Sequence, residues 1–198
     1  MTRGASGAAT KDAIRQAAAC AFRAGGYSGT SLQGIAERLG MTRAAVLHHY
    51  GTKEHLLEAV LEPFLADFEA MLSRHEESSA LDLRELLTDL VELLLAYRNV
   101  AGILAYDVVA SRGGPVTLAR GRACCRRLTA MLAGPHPSDA DRVVVAAVVG
   151  AVLRPVADPT LDLADAASKA AIAAVADHLG SHMSCLLASA GADGPSAA

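Results

Sequence analysis

Between Thr30 and Leu56 the chain reads TSLQGIAERLGMTRAAVLHHYGTKEHL, and this stretch leaves few folds open. Leu32, Ile35, Ala36 and Leu39 recur at the spacing of one helical face. Gly40 follows, a residue that tolerates the positive φ of a sharp corner. Thr42 can then cap a second helix running to about Tyr50. Helices this short are unstable in isolation, so neighbouring helices must hold them and present them to something. Two helices joined by a glycine turn make a helix-turn-helix, whose second helix enters a DNA major groove.

The rest of the chain predicts an all-α protein. Ala and Leu dominate the 198 residues, 52% are hydrophobic, and apolar positions repeat mostly at 3.6. Met1–Ala9 is expected to be a disordered arm and Thr10 the cap of a first helix, which Gly25-Gly26 stops. Thr30 or Ser31 caps the second. Thr52 caps a long apolar stripe from Leu56 to Leu72 with Pro63 inside it, which predicts two helices or one kinked helix. His75–Ala80 reads as a polar loop. Further helices are expected over 82–98, 99–111, 115–132, 138–154 and 162–188, with Pro115 suited to a first turn and Ser138/Asp141 to a capping box. The tail from 190 to 198 is expected to be disordered. The helix over 138–154 is apolar almost all round and therefore needs cover on every side, which a second subunit can supply.

Charge is unevenly placed. Residues 1–60 carry seven Lys and Arg against four Asp and Glu, and the remainder eleven against seventeen. A basic head on an acidic body can still engage a polyanion. No N-terminal apolar segment resembles a secretory signal, and Val143–Val152 is too short to span a bilayer. The four cysteines form no CxxC pair. A reduced cytoplasmic setting without membrane attachment is expected.

Phe22–Met41 (FRAGGYSGTSLQGIAERLGM) and Val46–Leu57 (VLHHYGTKEHLL) together resemble the N-terminal DNA-binding domain of the tetracycline-repressor (TetR) family of bacterial transcriptional regulators. The most specific part is His49-Tyr50-Gly51-Thr52-Lys53-Glu54 followed by Leu56. The resemblance implies a three-helix DNA-binding domain over 10–57 and a helical ligand-binding and dimerisation domain over 58–189. It implies that Ser31 and Gln33 touch phosphate or a base edge, and that Thr42, Arg43 and Ala45 face the groove. Of these, Arg43 is the candidate for reading guanine. His48, His49, Tyr50 and Lys53 would hold phosphates. The family's usual Tyr in its LYxHF segment is replaced here by Leu47, and Tyr50 stands for the Phe.

The expected function is a homodimeric regulator, a repressor on a palindromic double-stranded operator released by a small-molecule effector. Polar candidates for the effector site between the middle helices are Tyr97, Tyr106, Asp107, Arg112 and Arg122. One alternative is a helical small-molecule-binding or interaction protein that has lost operator binding. An enzyme on a helical scaffold is the other, and no catalytic cluster supports it. No cofactor is expected. His178, His182 and Cys185 fall on one face of the last helix, but no fourth ligand is evident and no metal is expected. Cys124-Cys125 reads as small apolar packing rather than a redox sensor.

Overall fold

The computed structural model describes residues 3–106 and 115–191, and every regular element in them is a helix. Helix α1 spans Arg3–Gly29, α2 Leu32–Arg38, α3 Arg43–Tyr50, α4 Lys53–Glu77, and α5 Leu83–Ala96. They are followed by α6 Arg98–Tyr106, α7 Pro115–Ala133, α8 Asp139–Ala157 and α9 Ala166–Gly191.

Several boundaries move from their sequence expectations, each for a local reason. Helix α1 starts at Arg3, so the segment expected to be a disordered arm is helical from there and Thr10 lies inside the helix. Ala5, Ala8 and Ala9 favour helix, and extending an existing helix avoids a new nucleation cost. Gly26, at φ 68°, breaks the helical path near its end. The Thr30 hydroxyl donates to the Ala21 and Gly26 carbonyls at 3.0 and 2.8 Å, closing that end and leaving Ser31 to cap α2. Helix α4 passes through Pro63 as one element, with Val60, Leu61, Phe64 and Leu65 buried around it.

The expected loop from His75 begins later, because α4 continues to Glu77. His75 is buried with Nε2 3.0 Å from Asp89 Oδ2 on α5. Helix α9 begins at Ala166 rather than Asp162, where the Asp165 carboxylate accepts from Ser168 N–H. The Ser138/Asp141 capping box forms as expected. The far end of the helix expected over 99–111, and residues 192–198 of the expected tail, lie outside the described residues.

The chain groups into two compact units, 1–66 with 97–120, and 67–96 with 121–198. The first is larger than the motif domain expected from sequence because α6 packs on α1. Val100, Ala101 and Ile103 are buried, and Gly102 lies against the Arg23 side chain. Its core brings Ile14, Ala18 and Phe22 of α1 onto Ile35, Ala36, Val46 and Tyr50, which supplies the support that α2 and α3 lack alone.

The second unit is built on α5, α8 and α9, which pack on one another. Leu86, Leu87, Leu90, Val91 and Leu94 of α5 meet a layer that includes Val145, Val148, Val152, Ile172, Ala176 and Met183. Burial of such side chains stabilises by roughly 1.5–3 kcal/mol each. Arg84 pairs with Asp177 across the α5–α9 contact, and Arg127 of α7 pairs with Glu76 of α4.

Candidate nucleic-acid interface

The helix-turn-helix is built by two side-chain caps and one left-handed corner. Ser31 Oγ accepts from Gly34 N–H at 3.0 Å to start α2. Gly40 turns at φ 63°, and Met41 N–H reaches back to Ala36 O at 2.9 Å. Thr42 Oγ1 then accepts from Ala45 N–H at 3.2 Å and starts α3. Ile35, Ala36 and Val46 face inward, fully buried.

This leaves Thr42, Arg43, Ala44 and His48 exposed on α3. The Arg43 guanidinium makes no hydrogen bond or ion pair with the described residues. An unengaged guanidinium in the first turn of α3 has its donor fork free for a base edge or a phosphate. Ala44 is exposed at a position the motif reading did not name. It shares the outward face with His48 four residues on, whereas Ala45 is half-buried beside Val46. Helical period alone held the signal, since Val46 and Tyr50 define the inward face and Ala44 and His48 fall opposite.

The other expected contacts divide into exposed and internally engaged groups. Ser31 and Gln33 are exposed, and Gln33 donates to Glu37 at 2.7 Å along α2. His49 is half-buried, its ring edge-on to His48 at 5.7 Å between centroids. Tyr50 is buried, and its hydroxyl donates to the Lys11 carbonyl at 2.7 Å. Burial raises its pKa above the ordinary phenol value, against a smaller lowering by Arg15. In this conformation Tyr50 ties α1 to α3 and has no proton left for a phosphate. Lys11, whose ammonium lies 5.4 Å from the Tyr50 ring centre, is the exposed cation at that corner.

Lys53 is also turned inward. Its ammonium donates to the Tyr27 carbonyl and sits over the Tyr27 ring, 4.1 Å from the centre. The Tyr27 hydroxyl in turn donates to Glu54 at 3.1 Å. Glu54's carboxyl is held below its ordinary range by hydrogen bonding to its own backbone N–H and then to Tyr27. Lys53 and Glu54 thereby clamp the first turn of α4 onto the end of α1. Leu47 is half-buried, and its carbonyl accepts from Gly51 N–H at the end of α3.

The matching family model is that of bacterial regulatory proteins of the TetR family, over residues 14–60. Residues 14–60 are therefore an N-terminal segment of the TetR-family type. The matched segment contains the caps, the Gly40 corner and all of α3. The chain is similar to the HTH-type transcriptional regulator BetI of Burkholderia thailandensis, at 36% identity over 55 residues. That match spans 28% of this chain and 28% of that relative's length.

Two solved structures share the fold over most of the chain. The ketosteroid transcriptional regulator KstR2 of Mycobacterium tuberculosis matches with a TM-score of 0.65 at 18% identity, covering 91% of this chain and 94% of its own. A transcriptional regulator from Aquifex aeolicus VF5 matches at 0.62 and 19%, covering 85% and 96%.

Of the expected effector-site residues, Tyr97 is half-buried with its ring edge-on to Phe64, 5.8 Å between centroids. Arg122 is exposed on α7. Asp107, Arg112 and the Tyr106 side chain lie outside the described residues. Cys124 is buried, and desolvation of the Cys125 thiol itself raises its pKa above the ordinary value, against a smaller lowering by Arg126. That shift works against forming a reactive thiolate there.

Proposed function

We propose that this chain is a dimeric, sequence-specific DNA-binding transcriptional regulator in which α3 is the recognition helix. The observation that carries the reading is the exposed, unengaged Arg43 at the capped start of α3, inside the segment matched by the TetR-family model. Arg43 reads a base, while His48, Lys11 and Ser31 contact phosphates and fix register. Lys53 and Tyr50 contribute by positioning α3 and α4.

Dimerisation is supported by the outer faces of the second unit. On α8, Val143, Ala146, Ala147 and Ala151 are exposed, and on α9 Ala167, Ala171, Ala174 and Val175. The stretch Ala166–Ser189 is long and apolar enough by composition to cross a bilayer, with only 22% of its most apolar window buried. A second copy is the better cover. Alanine-rich surfaces permit close helix approach, and α9 is already docked on α5 and α8 through its other face. Two copies place two α3 helices on half-sites about one DNA turn apart or a multiple of it. A small effector then shifts the population between DNA-competent and released states, provided it binds the two with different affinity. Repression relieved by such a ligand, in the cytoplasm, is the form of regulation we assign.

The test is fluorescence anisotropy of the full chain on its own upstream promoter and on random duplex, across a salt series. Specific binding exceeds random binding by about 10³-fold or more in the expected outcome. Arg43→Ala costs about 1–3 kcal/mol on the promoter and relaxes specificity at one base pair. Equal loss on both duplexes refutes base reading by Arg43. Equal affinity of the unmodified chain for both duplexes refutes the regulator itself.

A further inference from the structure

The last helix carries a pair of imidazoles that DNA binding does not use. His178 and His182 stand one turn apart on α9, both exposed, with ring centroids 4.3 Å apart and planes 34° from parallel. They lie in the middle of the small-residue face described above. Ala171, Ala174, Val175 and Ser181 surround them, and Cys185 lies one turn on.

His182 Nδ1 is 2.9 Å from the His178 carbonyl. A carbonyl can only accept, so this contact fixes the proton on Nδ1 and leaves the Nε2 lone pair directed away from the backbone. An imidazole anchored through one nitrogen to a backbone carbonyl, with the other nitrogen bare, has the arrangement of a metal-ligating histidine. Histidines at i and i+4 on one helical face also match the spacing of two-imidazole metal chelates.

Among the described residues, no three His, Cys, Asp or Glu side chains of one chain gather around a metal position. Two imidazoles leave a tetrahedral ion two ligands short. A two-fold contact whose axis passes beside His178 and His182 would bring the same two imidazoles from the partner against them. Covering this face without a bound ion would bury the His182 Nε2 lone pair without a donor, at a cost.

We infer that His178 and His182 form half of a divalent transition-metal site, of the zinc class, which a second copy of the chain completes with its own pair. The inference rests on the dimer reading above. It revises the expectation from sequence that no metal is held, because the missing ligands come from a second chain.

The experiment is calorimetric titration of the chelator-treated full chain with Zn²⁺ alone, alongside sedimentation in excess chelator. One ion per pair of chains is expected. His178→Ala and His182→Ala each weaken binding by about tenfold or more, with unchanged far-UV circular dichroism, while Cys185→Ser leaves it intact. Heat no greater than that of buffer, one ion per chain, undiminished binding in His182→Ala, or loss in Cys185→Ser overturns the four-imidazole site. A monomer in chelator that also stays monomeric with Zn²⁺ overturns the dimer reading. A dimer in chelator that takes up no ion overturns the metal site alone.

Discussion

Gly180 is the most closely approached of the described glycines of the second unit and gives that unit an exacting test. A Cβ added there would stand 2.7 Å from Arg84 Cα and 3.0 Å from both Arg84 N and Leu83 O. Carbon pairs pack at about 3.5–4.0 Å, so α5 and α9 must separate by roughly 1 Å to admit a single methyl group. Every one of these neighbours is main chain, which cannot swing aside as a side-chain tip can.

Overpacking of this kind costs about 1–3 kcal/mol. Against it, alanine gains about 1 kcal/mol of helix propensity over glycine. With backbone as the obstacle, the upper part of the cost range applies, and Gly180→Ala should be less stable by about 1–2 kcal/mol. The midpoint of thermal unfolding should fall by roughly 2–8 °C. Gly150→Ala is the control in protein diluted to the monomer, because a Cβ there meets nothing within 4 Å in one chain while Gly150 shares the α8 face assigned above to a second copy. It should be more stable by about 0.5–1 kcal/mol, so the same substitution changes sign between two helices of one unit. Urea unfolding followed by circular dichroism at fixed protein concentration measures both. If Gly180→Ala matches or exceeds the parent, the close α5–α9 crossing is wrong.

Three further outcomes follow from the same geometry. Tyr50→Phe removes the hydroxyl bond that the Lys11 carbonyl accepts from α3 and should cost about 1 kcal/mol of stability, read by urea unfolding. A direct phosphate role for Tyr50 would appear as weaker DNA binding at unchanged stability. Asp141, whose carboxyl is held below its ordinary pKa by the Ser138 hydroxyl and then the Ser138 N–H, stabilises α8 above the ordinary carboxylate range of about 4 and loses that effect as pH falls through its folded pKa. Asp141→Asn should therefore be less stable than the parent at pH 7, with the gap closing in acid. Gly102→Ala should cost less than Gly180→Ala, because its close neighbour is the Arg23 side chain, which can move.

The helix-turn-helix was legible because its determinants are local. The apolar period of Leu32, Ile35 and Ala36, the Gly40 corner and the Thr42 cap each act within a few residues, and each takes the expected form. The Ser138/Asp141 box was legible for the same reason. Tertiary structure decided which side chains of the motif remain available. Tyr50 and Lys53 read as surface contacts by position, yet α1 offers the Lys11 and Tyr27 carbonyls to them, and a distant backbone acceptor leaves no trace in sequence spacing. Ala44 faces outward instead of Ala45 because Val46 and Tyr50 turn toward α1 and α2.

The grouping of α6 with the N-terminal helices was hidden too, since it depends on Gly102 meeting Arg23 across a long separation in the chain. Sequence by itself determined the helical class, the caps of α2, α3 and α8, and the type of the head. Only the packed structure decided which polar groups are spent internally, because burial and hydrogen bonding depend on partners that the local pattern cannot name.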